Sequence, residues 1–154
     1  MNTKTAININ AGISCGVVLS GSGDDMRMLL LKRTDTDYWC HVGGRIEREE
    51  TAWQAILREL DEETGLKPDN LYSADYILRF YDIASNSMVM TPAFLCYYDT
   101  EPAITLNREH SDYRWCTLEE ACGCVEFPNL QEMYRHIWHY FSQQRPSDYL
   151  RVKL

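Results

Sequence analysis

Several things are scarce in this chain of 154 residues. No apolar run approaches the roughly 20 residues that a bilayer-spanning helix needs, so no membrane segment is expected. The opening stretch, MNTKTAININ, has no apolar core of the secretory kind, and the protein is expected in the cytoplasm. Positive charge is in deficit: 15 Lys and Arg stand against 23 Asp and Glu, a formal net charge of −8. A broad nucleic-acid surface needs the reverse balance, which excludes a nucleic-acid polymer as the expected partner. No proline- or glycine-rich linker and no internal repeat divides the chain, so residues 1–154 are read as a single domain. The six cysteines (15, 40, 96, 116, 122 and 124) lack the paired spacing of a zinc site, and they are expected to be reduced and structural.

Hydrophobic residues make up 45% of the chain, enough for a globular core. Ala6 to Leu19 reads as a strand broken near Gly12. Ser20 to Asp25 is a turn, and Met26 to Lys32 is a strand returning beside the first. Trp39 to Val42 leads into Gly43-Gly44. Leu71 to Ile83 and Ser87 to Tyr98 are two long strands around a turn, and Asp112 to Cys116 is a short one. Thr117 with Glu120 has the form of a capping box that opens a short helix, and Asn129 to Gln144 is an amphipathic helix. The expected fold is α+β, an α-β-α sandwich in which a mixed sheet packs between helices.

The most informative segment is Gly44 to Leu66, GRIEREETAWQAILRELDEETGL. Thr51 or Glu50 opens a helix here, and Gly65 suits its left-handed cap. At about 100° per residue, Trp53, Ile56, Leu57 and Leu60 form a core-facing stripe. Glu59, Glu62 and Glu63 gather on the other side, where Ala52 and Ala55 leave room for a metal and a bulky ligand. Glu59 and Glu63 are a like-charged i,i+4 pair late in the helix, where both the pair and the helix dipole are unfavourable. A cation would offset that cost. Hard divalent ions take carboxylate oxygens and act on phosphates, so the cluster reads either as a solvated acidic face or as a Mg²⁺ site. Arg58 can pair with Glu62 or hold a neighbouring carboxylate.

The whole spacing resembles the box of the Nudix hydrolase family, G-x(5)-E-x(7)-R-E-U-x-E-E-x-G-U with U a bulky aliphatic. It does so without departure at Gly44, Glu50, Arg58, Glu59, Leu60, Glu62, Glu63, Gly65 and Leu66. Glu109-His110-Ser111-Asp112-Tyr113-Arg114-Trp115 is similar to a further stretch found in many members. The resemblance implies metal-assisted hydrolysis of a phosphoanhydride in a nucleoside diphosphate linked to a further group X. Mg²⁺ is the implied cofactor, with Mn²⁺ as a possible substitute. Gly44 (by its carbonyl), Glu59, Glu62, Glu63 and Glu109 are the implied metal ligands. Glu59 or Glu109 is the implied general base, Arg58 orients the carboxylates, and Glu50 braces the loop.

Arg33, Tyr38, Trp39, Arg45 and Arg79 are candidates for holding phosphate or stacking on a ring. The leucine-rich strand, Tyr-Trp and glycine pattern of residues 29–51 is similar to the branch acting on nucleoside triphosphates and dihydroneopterin triphosphate. Dinucleoside polyphosphates, ADP-ribose and nucleotide sugars are the alternatives. Two other classes are weighed as well. One is an isomerase of isopentenyl diphosphate using Cys40, but that class departs from the box. The other is a nucleotide sensor of the same fold, but such domains lose box carboxylates and this chain keeps them. The expected partner is a small molecule, and a monomer or homodimer fits equally.

Overall fold

The computed structural model describes residues 6–154. In chain order it contains β1 (Asn8–Asn10), β2 (Ile13–Ser20), β3 (Arg27–Arg33), β4 (Trp39–Cys40), β5 (Val42–Arg45), α1 (Ala52–Thr64), β6 (Tyr72–Asp82), β7 (Ser87–Tyr98), β8 (His110–Cys116), α2 (Leu118–Cys124) and α3 (Pro128–Phe141). No helix among the described residues is long and apolar enough to cross a membrane.

One mixed sheet carries all eight of these strands. β7 is its long member. It runs parallel to β1 and then to β2 along one edge, and antiparallel to β6 along the other. β2 also pairs with β5, through Ile13–Gly16 against Val42–Arg45. The strand expected to return beside β2 does so only briefly, at Leu19–Met28 and Ser20–Arg27. Beyond that, β3 turns away to pair with β8 and β4. The departure leaves the first half of β2 open to β5, which sets Gly43 and Gly44 against Cys15 and Ser14.

Alternation along β2 and β7 sorts the core into two layers. Cys15, Val17, Leu19, Leu95 and Tyr97 meet Met133, Tyr134, Ile137 and Phe141 of α3 on one face. Val18, Phe94 and Cys96 meet Ile56 and Leu60 of α1 on the other. The α-β-α expectation therefore describes the architecture. The C-terminal residues close the sheet: Val152 donates its N–H to the Leu71 carbonyl, and Arg151 bridges to Tyr72.

Candidate active site

α1 begins at Thr51, whose hydroxyl accepts from the Gln54 N–H while the Gln54 side chain accepts from the Thr51 N–H. This reciprocal cap fixes where the helix starts. Gly65, at φ 72°, ends it in the left-handed region. Between these ends the burial differs from the simple helical wheel. Ile56 and Leu60 are buried as expected, but Trp53 and Leu57 are only partly covered and Ala55 is fully enclosed. Ala55 therefore lines packed core, where the wheel put open space. The three carboxylates also part company. Glu63 is 2% exposed, whereas the Glu62 side chain is 54% exposed. Glu63 lies three and seven positions after Leu60 and Ile56, at the edge of their stripe, and so turns inward with them.

Glu59 packs against β5. A Cβ at position 44 would overlap the Glu59 carboxylate, so Gly44 lets the acid lie directly on the strand backbone. Arg58 ties the group together. Its Nε and Nη2 donate to Glu50 at 2.7 and 3.1 Å, its Nη1 to Glu59 at 2.7 Å and Glu62 at 3.3 Å, and its Nη2 also to the Arg45 carbonyl at 2.9 Å. The planar five-donor fork of arginine suits this task, and a lysine could not span it. Glu50 also accepts from the Glu47 N–H, and Arg58 holds its carboxyl below the usual range. Glu50 is therefore the brace of the loop.

Glu63 is the anomaly among the carboxylates. One of its oxygens, Oε2, is buried and has no hydrogen-bond partner among the described residues. Burial, and then the neighbouring charges of Glu59 and Glu109, push its carboxyl up to about 8. Glu59 is also raised, mainly by burial, with Arg58 opposing. Leaving a carboxylate oxygen dry and unpaired costs on the order of 1–3 kcal/mol, so the place is built for something else to fill. No three His, Cys, Asp or Glu side chains among the described residues already converge on one point. Mg²⁺ does not require that, because it binds through one or two carboxylates and keeps water and phosphate oxygens as its other ligands. An all-oxygen donor set with an orphaned buried carboxylate oxygen fits such an ion.

Glu109 sits in the turn before β8, exposed, with its loop pinned to the end of β3 by the Thr34 N–H donating to its carbonyl. Its charge is felt by Glu59, Glu63 and Arg33. Arg33 makes a two-pronged pair with Asp35 at 2.9 and 2.8 Å, which turns its fork away from an open phosphate role. Arg45 is exposed and lends its carbonyl to Arg58. Trp39 is half-buried with the Arg114 guanidinium 4.9 Å over its ring. Tyr38 is exposed and meets Phe127 edge to face at 5.8 Å. Arg79 lies on β6, three strands from Gly44 in the order β6–β7–β2–β5, and is not gathered with the carboxylates. Cys40 is a poor nucleophile, since burial pushes its thiol up to about 12.

The residue pattern did not reveal Phe127. It opens α3 beside a cleft of about 920 Å³ lined by Phe80, Ile83, Pro128 and Leu130. The two walls come from segments more than forty residues apart, and no local spacing signals that they meet.

A family model described as the NUDIX domain matches residues 11–140. This chain belongs to the Nudix hydrolase family. It is 29% identical over 111 residues to the asymmetrical bis(5'-nucleosyl)-tetraphosphatase of Rattus norvegicus, covering 69% of this chain and 74% of that protein. It is 30% identical over 122 residues to the dihydroneopterin triphosphate diphosphatase of Haemophilus influenzae, covering 71% and 77%. It also matches an octanoyltransferase of Myxococcus xanthus, 30% identical over 119 residues, covering 75% of this Nudix chain but 33% of that protein. Among solved structures, an Ap4A hydrolase of C. elegans superposes with a TM-score of 0.74 at 20% identity, covering 85% and 97% of the two chains. At that identity the likeness speaks for the Nudix fold alone.

Proposed function

We propose that the protein is a divalent-metal-dependent pyrophosphohydrolase that cleaves a phosphoanhydride bond in a nucleotide-like substrate. The observation that carries the reading is Glu63, a buried carboxylate with an unpartnered oxygen, pressed by Glu59 and Glu109. Glu59 and Glu63 would hold Mg²⁺, or Mn²⁺ in its place, with the Gly44 carbonyl, Glu62 and Glu109 completing the set as substrate enters. A bound ion of this kind neutralises phosphate charge and makes a water more acidic.

The chain's own residues do the rest. Arg58 fixes the carboxylates of Glu59 and Glu62 relative to β5. Glu109, exposed at the rim, takes the proton from the attacking water, and Glu59 is the other candidate for that role. Gly44 allows the anionic cluster to lie against the strand without a side chain between. The cleft beside Phe127 and Phe80 takes a flat ring, a base or a pterin, and Tyr38 borders it through Phe127. A nucleoside triphosphate or dihydroneopterin triphosphate fits one ring in that cleft with its phosphates toward the box. A dinucleoside polyphosphate is the second reading, favoured by the likeness to the rat enzyme.

The test is a panel of dNTPs, dihydroneopterin triphosphate, dinucleoside polyphosphates, ADP-ribose and nucleotide sugars, with Mg²⁺ and with EDTA. Cleavage of one class, lost with EDTA, is the expected result. Tight binding of a nucleotide without any product would replace this reading with that of a sensor.

A further inference from the structure

Among the described residues, the α1 side of the sheet is only half covered. From Phe94 onward, β7 carries Phe94 and Cys96 beneath α1. Earlier in the strand the same face carries Pro92, Met90 and Met88, while Ser87, Val89 and Thr91 point the other way and are buried. Strand register extends this bare face sideways. Ile9 of β1 lies opposite Met88, and Met88 lies opposite Tyr81 of β6, a single row across three strands. Ile9 is 67% exposed, Tyr81 51% and Met88 43%. Ile7, two residues before Ile9, is also exposed, as is Ile77, which lies opposite Pro92 and beyond Arg79 on the same face.

We propose that this face is a self-association surface on which a second copy of the chain packs, sheet against sheet. Its size supports the assignment. The five side chains expose on the order of 500 Å² between them, at the upper end of what a soluble monomer leaves bare. A standard interface takes about 800 Å² from each partner, about 65% of it apolar in homodimers, so the apolar share is about 500 Å². Its chemistry selects the occupant. The row is neutral, and the β6 part of this face carries one charge of each sign, Asp75 and Arg79, so it offers no net charge to recognise an acidic or basic partner. An identical neutral row is its natural complement, and a twofold arrangement satisfies both copies at once. Tyr81 also lines the cleft beside Phe127, so the face adjoins the proposed ring site, and association is read without turnover.

The chain carries a net charge of −8, so two copies repel at long range while the apolar faces attract. Salt screens the repulsion and leaves the attraction, so association should tighten or hold as ionic strength rises. Sedimentation velocity across a concentration series tests the proposal. The expected result is a reversible dimer of twice 18.0 kDa with a Kd in the micromolar range. Ile9→Asp and Met88→Asp should each weaken it at least tenfold. Both positions are solvent-exposed, and a circular dichroism melt confirms that each variant is folded. If either variant fails to fold, Met88→Cys with a short bismaleimide gives the second reading, and more cross-linked pairs are expected than from the wild type, whose Cys40, Cys122 and Cys124 are also partly exposed. A protein that stays monomeric at every concentration overturns the proposal. So does a dimer that neither aspartate weakens, or one that salt dissociates.

Discussion

α1 and α3 lie on opposite faces of one sheet, and each buries an apolar stripe against it. Their polar groups are treated differently. On the α3 side the buried hydroxyls find partners: Tyr134 bonds to His41 Nδ1 at 2.9 Å, and Tyr97 donates to the Phe141 carbonyl at 2.8 Å. On the α1 side Glu63 is buried with an oxygen left over, and four further carboxylates, those of Glu47, Glu50, Glu59 and Glu62, share one arginine. The first layer is arranged for stability. The second holds like charges at a cost that the folded chain alone does not recover, as expected where a charged ligand is meant to complete the structure.

Glu63→Gln should separate the two layers most sharply. Turnover should fall on the order of 10³-fold or more, a loss typical when a group stabilising transition-state charge is removed. The apo protein should hold or gain stability at neutral pH, because burial that pushes the Glu63 carboxyl up to about 8 costs stability above its ordinary value, and glutamine has no proton to take up. Steady-state kinetics and urea unfolding read the two effects, and wild-type turnover would remove Glu63 from the site. Ile137→Ala on α3 should do the reverse. It opens a cavity at a fully buried position and should cost about 2–5 kcal/mol by denaturant unfolding, with kcat per folded molecule unchanged. A fall in kcat would mean that the two faces are coupled.

Arg58→Lys keeps the charge but loses the fork. Metal affinity should drop about 10–100-fold by titration, with the helix intact by circular dichroism. The smallest effect concerns pH. Burial holds His41 down at about 4 in the fold, against an ordinary value near 6.5. The neutral ring is the folded form, so between these values the unfolded chain binds the extra proton. Its contribution is therefore present above about 6.5 and lost as pH falls toward 4, by at most a few kcal/mol. His41→Gln should flatten that part of the stability profile measured by urea unfolding, and an unchanged slope would assign the acid sensitivity to other groups.

The box and its helix were legible because their chemistry is local. The caps at Thr51 and Gly65, the fixed spacing and the crowding of Glu59 and Glu63 all lie within a few turns of chain. The helix at Thr117, with its Glu120 partner, was legible for the same reason. The inward turn of Glu63 was not, since its polarity masked its place at the edge of the Ile56–Leu60 stripe. The short pairing of β2 with β3 was hidden too. Register depends on partners far along the chain, here β5 and β8, whose competition no window of sequence contains. The Phe80–Phe127 cleft is a long-range product of the same kind.

Arg58 also decides where the molecule can adapt. Its hydrogen bonds join Arg45, Glu50, Glu59 and Glu62, and the Ile46 N–H is held by the Gly12 carbonyl, so the loop and its helix form one rigid block. The cleft beside Phe127 is walled by two separate segments, the start of α3 and the β6–β7 turn, which is held by its own Asp82–Ser85 and Tyr81–Asn86 hydrogen bonds. On the proposed reading, substitutions at Phe80, Ile83 or Phe127 would change the ring preference while the Arg58 block stays as it is. The protein would then be modular, with a rigid block at one end and an exchangeable grip at the other.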